Sequence, residues 1–175
     1  SPARHIIVGW PGFDGVPRDP GINQLSDLAG LVLNHINRPT DLIAQSMDGV
    51  VAMQVALKQS SLISHLVLVA TSGGIDIQRF RPRQDWRLQY REDLPRAPKW
   101  FVDDRTDLTD QLHLINIQTL LIWGDNDPVS PVAAGEYLAR ELPDAKLIVV
   151  EDADHFLKRD RVEEVTLYIA EFLSS

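Results

Sequence analysis

Ser46, the Asp125/Asp127 pair and His155 have the residue types and the chain order of a system that activates a hydroxyl for nucleophilic attack. Serine is a weak nucleophile at neutral pH and needs a base to take its proton. An imidazole base in turn needs a carboxylate that fixes its tautomer and stabilises the imidazolium. Four further histidines, His5, His35, His65 and His113, fall at strand starts, on a helix or in a polar excursion. Solvated or core-satisfied imidazoles are the expectation there.

The elements around Ser46 suit that chemistry. Asp41 to Ala44 is a short apolar run after Pro39-Thr40, and Gly49 to Lys58 is a run of small and apolar residues that reads as a buried helix. A strand that runs straight into a helix makes a tight turn, and a serine at its apex is held strained with its hydroxyl pointing away from the sheet. The bland alternative is that Ser46 merely caps the helix. Small residues are expected two before and two after such a serine. Ala44 meets this, whereas Asp48 places a carboxylate where glycine is usual.

Strand and helix alternate through the remainder. His5 to Val8 reads as a strand, and a loop rich in glycine and proline follows it. Ser26 to Asn37 reads as a helix capped by Asn23 or Ser26. His65 to Ala70 and Ile117 to Trp123 are apolar without alternation, as strands buried on both faces must be. Ala133 to Leu142 is predicted helical, Lys146 to Val150 a strand, and Val162 to Leu173 an amphipathic helix with Val165, Leu167, Ile169, Ala170, Phe172 and Leu173 inward. The expected architecture is α/β, a mostly parallel sheet flanked by helices. In such a sheet functional groups collect beyond the carboxyl ends of the strands, which is where Ser46, Asp125/Asp127 and His155 fall.

Residues 75–114 differ from the rest. Arg79, Arg81, Arg83, Arg87, Arg91, Arg96 and Lys99 lead into an acidic stretch, with Phe80, Trp86, Tyr90, Trp100 and Phe101 interspersed. The segment is too polar for core and too aromatic for a disordered linker, so it reads as a short lid on one domain spanning 1–175. A surface insertion pinned by its aromatics is the alternative.

Composition narrows the function. With 17 Lys and Arg against 25 Asp and Glu the net charge is −8, which disfavours nucleic acid as a partner. The absence of cysteine removes disulfides, thiolate metal sites and cysteine nucleophiles. No apolar run has the length needed to span a bilayer, and no signal-peptide pattern opens the sequence, so a cytoplasmic protein without a membrane partner is expected. Oligomeric state is not legible.

Together, A-Q-S-M-D-G, L-L-I-W-G-D-N-D-P-V-S-P and D-A-D-H-F resemble the elbow, acid loop and histidine loop of the α/β-hydrolase superfamily, whose triad runs Ser, Asp or Glu, His along the chain. The resemblance implies a compact α/β-hydrolase fold with a short lid, similar to carboxylesterases and carrier-protein esterases. It implies Ser46 as nucleophile, His155 as general base and acid, and Asp127, three residues after Gly124, as the orienting acid, with Asp125 a turn residue. One oxyanion donor is implied at the N–H of Met47. For the second, two alignments stand. In one, V-G-W-P-G-F supplies the N–H of Trp10. In the other, favoured because one helix separates it from Ser46, P-G-F-D-G matches a segment one strand later, and the fold's first strands precede residue 1.

The implied activity is cleavage of a carboxylic ester or thioester through an acyl-enzyme, with no cofactor and no metal. The lid arginines suggest an anionic or carrier-bound small-molecule acyl substrate, and Trp86 and Trp100 are candidates for its apolar pocket, with Met47 and Trp10 beside them. A catalytically silent binding protein, for which Asp48 speaks, is the competing class. Acyl transfer or cofactor-free perhydrolysis would use the same residues.

Overall fold

The computed structural model describes residues 4–13, 15–93 and 98–175, with the side chain of Lys158 outside that description. Asp14 of the P-G-F-D-G segment and Arg96 of the arginine-rich stretch therefore lie outside the described residues.

Four parallel strands form one sheet in the order β1 (Thr40–Gln45), β2 (Ile63–Val69), β3 (Gln118–Gly124) and β4 (Ala145–Val150). All three pairings are parallel, as the uninterrupted apolar runs predict. Side-chain alternation splits the core in two. Leu66, Leu68, Leu121 and Trp123 face one side with α1 (Leu25–Leu33), α2 (Met47–Lys58) and α5 (Val132–Glu141). Val67, Val69, Leu120 and Ile122 face the other with α7 (Val162–Leu173), which the short α6 (Leu157–Asp160) precedes.

Helix α7 has the predicted bounds but not all of the predicted face. Val165, Tyr168, Ile169, Phe172 and Leu173 pack inward, while Leu167 and Ala170 are exposed. Starting from Val165, the 3.6-residue period selects positions 168, 169, 172 and 173, and turns 167 and 170 outward. At α1 the predicted cap is also corrected. Neither Asn23 nor Ser26 caps it; Gln24 holds the cap position without a side-chain bond, and Asp27 reaches back to the Asn23 N–H at 2.9 Å.

His5 to Val8 is not a strand. Ile7 is 97% exposed, and no strand lies beside the outer edge of β1 among the described residues. An apolar run becomes a strand only where a neighbouring edge takes up its backbone groups, and this run pairs with none among the described residues.

Between β2 and β3, residues 75–114 form 3-10 turns at Ile77–Phe80 and Thr109–Leu114 and two short helices, α3 (Trp86–Asp93) and α4 (Lys99–Asp103). Phe101 is the hub. Its ring meets Phe13, Trp86, Tyr90 and Trp100 at centroid distances of 4.9, 5.8, 5.2 and 5.9 Å. The aromatics therefore fasten the excursion to the loop after Gly9 and to the main core. Several arginines are engaged locally: Arg87 Nε donates to the Val102 carbonyl, Arg91 pairs with Asp103, Arg83 donates to the Asn126 carbonyl, and Arg79 lies over Phe80 and Tyr137. Burial lowers the Arg87 pKa from its ordinary value, with Arg105 nearby adding to the effect.

Candidate active site

Ser46 joins β1 directly to α2, with φ 55° and ψ −127°. A non-glycine residue in this region is strained, and it persists only where its surroundings hold it. Three bonds do so here. The Ser46 N–H donates to the Val69 carbonyl at 3.0 Å, and the Ser46 carbonyl accepts from the Gly49 N–H and from the Thr71 hydroxyl. The side chain makes no capping bond to the helix, which removes the bland alternative.

The hydroxyl, imidazole and carboxylate stand in line. Ser46 Oγ lies 3.0 Å from His155 Nε2, and His155 Nδ1 lies 2.8 Å from Asp127 Oδ2. The side chains of Asp127 and His155 are 0% and 11% exposed. Asp127 Oδ1 accepts the N–H groups of Val129 and Ser130 at 2.7 and 2.8 Å, so both carboxylate oxygens are engaged and oriented. The histidine must then donate from Nδ1, leaving Nε2 to accept the serine proton.

Of the two aspartates in the loop after β3, Asp127 is the one on the imidazole. Asp125 works between loops: its Oδ1 accepts from the Ala153 N–H at 3.3 Å, while the Asn126 N–H donates to the Ala153 carbonyl. The acid loop thereby carries the histidine loop.

Asp48 is also placed. Its Oδ1 accepts the indole N–H of Trp10 at 2.7 Å, so the carboxylate has a donor outside the elbow. The close packing usually required of a glycine at that position has moved one residue on. A Cβ on Gly49 would come within 2.4 to 2.7 Å of the Thr71 side chain. Trp10 stands beside the elbow through its side chain. Met47 opens α2, where the first N–H groups of a helix lack intrahelical acceptors. Trp86 and Trp100 belong to the aromatic cluster around Phe101, and no ring contact joins either to Ser46 or His155 among the described residues.

Three residues that the sequence did not single out complete the arrangement. Buried Thr71 follows β2 and donates its hydroxyl to the Ser46 carbonyl; its own carbonyl accepts Ser130 Oγ, which in turn accepts the Trp123 indole N–H. Gln45 donates Nε2 to the His155 carbonyl at 2.7 Å. Thr71 and Ser130 sit in loops after strands, a signal the polar T-S-G-G and P-V-S-P stretches carry. Gln45 lies inside a strand and carries no such signal. Among the described residues no group of His, Asp and Glu side chains is arranged to hold a metal ion, and no helix is long and apolar enough to cross a membrane.

Comparisons with known proteins bear on the fold. Residues 96–161, which include Asp127 and His155, match the family model for the alpha/beta hydrolase fold. The chain is 25% identical over 200 residues to the uncharacterized hydrolase YugF of Bacillus subtilis strain 168, covering 86% of this chain and 71% of that protein. It is 24% identical over 191 residues to a pimeloyl-[acyl-carrier protein] methyl ester esterase of Neisseria meningitidis serogroup C, covering 85% and 74%. Among solved structures, a thermophilic esterase from Thermogutta terrifontis superimposes with a TM-score of 0.72 at 25% identity, over 93% of this chain and 76% of that one.

Proposed function

We propose that this chain, a member of the α/β-hydrolase superfamily, is a serine hydrolase that cleaves a carboxylic ester or thioester through an acyl-enzyme. The observation that carries the reading is the line from half-buried Ser46 Oγ through buried His155 to buried Asp127, at 3.0 and 2.8 Å. Ser46 Oγ attacks the acyl carbon while its proton passes to His155 Nε2. Asp127 holds Nδ1–H and stabilises the imidazolium. The N–H of Met47, at the positive end of α2, donates to the oxygen that gains charge. The imidazolium then protonates the leaving alcohol or thiol, and the acyl group stays on Oγ. Water, deprotonated by His155, attacks the ester and releases the acid and the serine.

An anionic or carrier-bound acyl substrate fits the arginine-rich excursion, and it gains support from the carrier-protein esterases among the relatives. Many of those arginines are engaged with carbonyls, rings or Asp103, so the charge left for a ligand is less than their number suggests.

Intact-mass spectrometry after exposure to a fluorophosphonate tests the proposal. One adduct is expected on the parent chain and none on Ser46→Ala or His155→Ala. A parent without an adduct overturns it and favours a silent ligand-binding domain. An ester and thioester panel then identifies the leaving group, and product analysis separates hydrolysis from acyl transfer or perhydrolysis.

A further inference from the structure

Gln45 is the last residue of β1, immediately before Ser46. Its Nε2 reaches 110 residues along the chain to the backbone carbonyl of His155, at 2.7 Å. Because that partner is a carbonyl oxygen, the amide must face it with its nitrogen. Oε1 of the same amide is buried, and among the described residues nothing donates to it. An orphaned acceptor is unfavourable, and an apolar side chain of the same shape would avoid it. The amide's one bond therefore identifies what the residue contributes, a link from the nucleophile's strand to the loop that carries the base.

That link adds to the bonds that hold Ala153 to the acid loop, and it acts at the histidine itself. The carbonyl of Phe156, one residue on, accepts from Arg159 and Asp160 in the turn of α6. The His155 carbonyl lies ahead of that turn and accepts from Gln45 Nε2. On the ring side Asp127 fixes Nδ1, which sets the tautomer and one point of the imidazole. Gln45 fixes a second point, on the main chain. Since Gln45 and Ser46 are consecutive, a shift of β1 carries the anchor and the nucleophile together.

We propose that Gln45 is a positioning residue, clamping the His155 main chain to the nucleophile's own strand so that the Nε2 to Oγ separation is kept through motion of the loop. It rests on the serine-hydrolase reading, and it assigns the residue before the nucleophile a part in setting reactivity rather than in filling space.

The test compares the parent with Gln45→Met, which keeps the shape without the donor, and Gln45→Glu, which keeps the shape with acceptors only. Fluorophosphonate labelling of Ser46 is followed over time at several probe concentrations, so that the limiting rate and the half-saturating concentration separate, and each variant is melted. Expected is a fall in limiting rate of about 10- to 100-fold in both variants, the size of effect a misplacement near 1 Å produces, with half-saturation little changed and the Gln45→Met melting temperature close to the parent's. Labelling of Gln45→Met at the parent's limiting rate overturns the proposal, as does a loss matched by its loss of folded protein.

Hydrogen exchange of the 151–160 segment supplies a readout independent of chemistry. It should quicken in Gln45→Met while α1 and α5 are unchanged, and equal exchange overturns the clamp. A parent that takes no adduct on Ser46 sinks the serine-hydrolase reading itself, whereas a labelled parent with an equally labelled Gln45→Met sinks this inference alone.

Discussion

Two histidine–aspartate pairs sit at opposite ends of the same sheet. At the carboxyl end His155 Nδ1 meets Asp127 at 2.8 Å, and at the amino end His65 Nδ1 meets Asp41 at the same 2.8 Å. Distance does not distinguish them; their surroundings do. Asp127 is sealed from water with its second oxygen held by two backbone N–H groups, whereas Asp41 and His65 side chains are 40% and 20% exposed. His155 presents its other nitrogen to a hydroxyl, and the His65 ring lies edge-on against Phe172. An exposed pair is screened and contributes little, while a buried carboxylate aimed at an imidazole governs proton position. The two pairs thus share a distance and differ in burial and in the third partner, Ser46, that the buried one has.

The largest expected effect breaks the comparison open. Asp127→Asn should lower fluorophosphonate labelling of Ser46 by about 10⁴-fold through loss of the correct tautomer. Asp41→Asn should leave it within about twofold, as exposed substitutions do. Equal losses in both variants would show that the two pairs differ in nothing that matters.

Next is the elbow packing that the buried end requires. Gly49→Ala forces a Cβ to within 2.4 Å of Thr71 Oγ1, and urea unfolding should show a loss of about 1–3 kcal/mol, or more if the elbow cannot relax. Thr71→Val keeps the shape but leaves the Ser46 carbonyl and the Gly73 N–H without the hydroxyl, and about 1–3 kcal/mol should be lost by the same measurement. Unchanged stability in Thr71→Val would remove Thr71 from the account of the strained Ser46.

The smallest effect sharpens what exposed charge contributes. Asp27, at the start of α1, is held below its ordinary pKa of 3.8 by the Asn23 N–H and then by the Gln24 side chain. A depressed folded value means that its contribution is present above the ordinary value and lost as pH falls through the lowered one. Asp27→Asn should therefore unfold at slightly lower urea than the parent at pH 6, and the two midpoints should converge toward pH 3. A gap that persists at low pH would show that charge is not its source.

Much of this was legible in residues. Parallel strands followed from apolar runs without alternation, and the positions of Ser46, Asp127 and His155 followed from their place in loops after strands. The first strand was misread because His5 to Val8 has strand composition but pairs with no edge of the sheet, and pairing is a property of neighbours. Leu167 and Ala170 were misassigned because apolarity alone does not set which turn of α7 faces the sheet.

What the sequence determined by itself is therefore local and periodic: which segments become strands buried on both faces, which loop carries each reactive group, and in what order. The tertiary structure decided the rest. It engaged Asp48 with Trp10, set Gly49 against Thr71, and brought Gln45 to His155 and Thr71 to Ser46. Each of those contacts joins residues 22 to 110 positions apart. Their geometry exists only once the sheet has set the distances between its loops, and burial, which separates the Asp127–His155 pair from the exposed one, belongs to the packed molecule and not to any stretch of it.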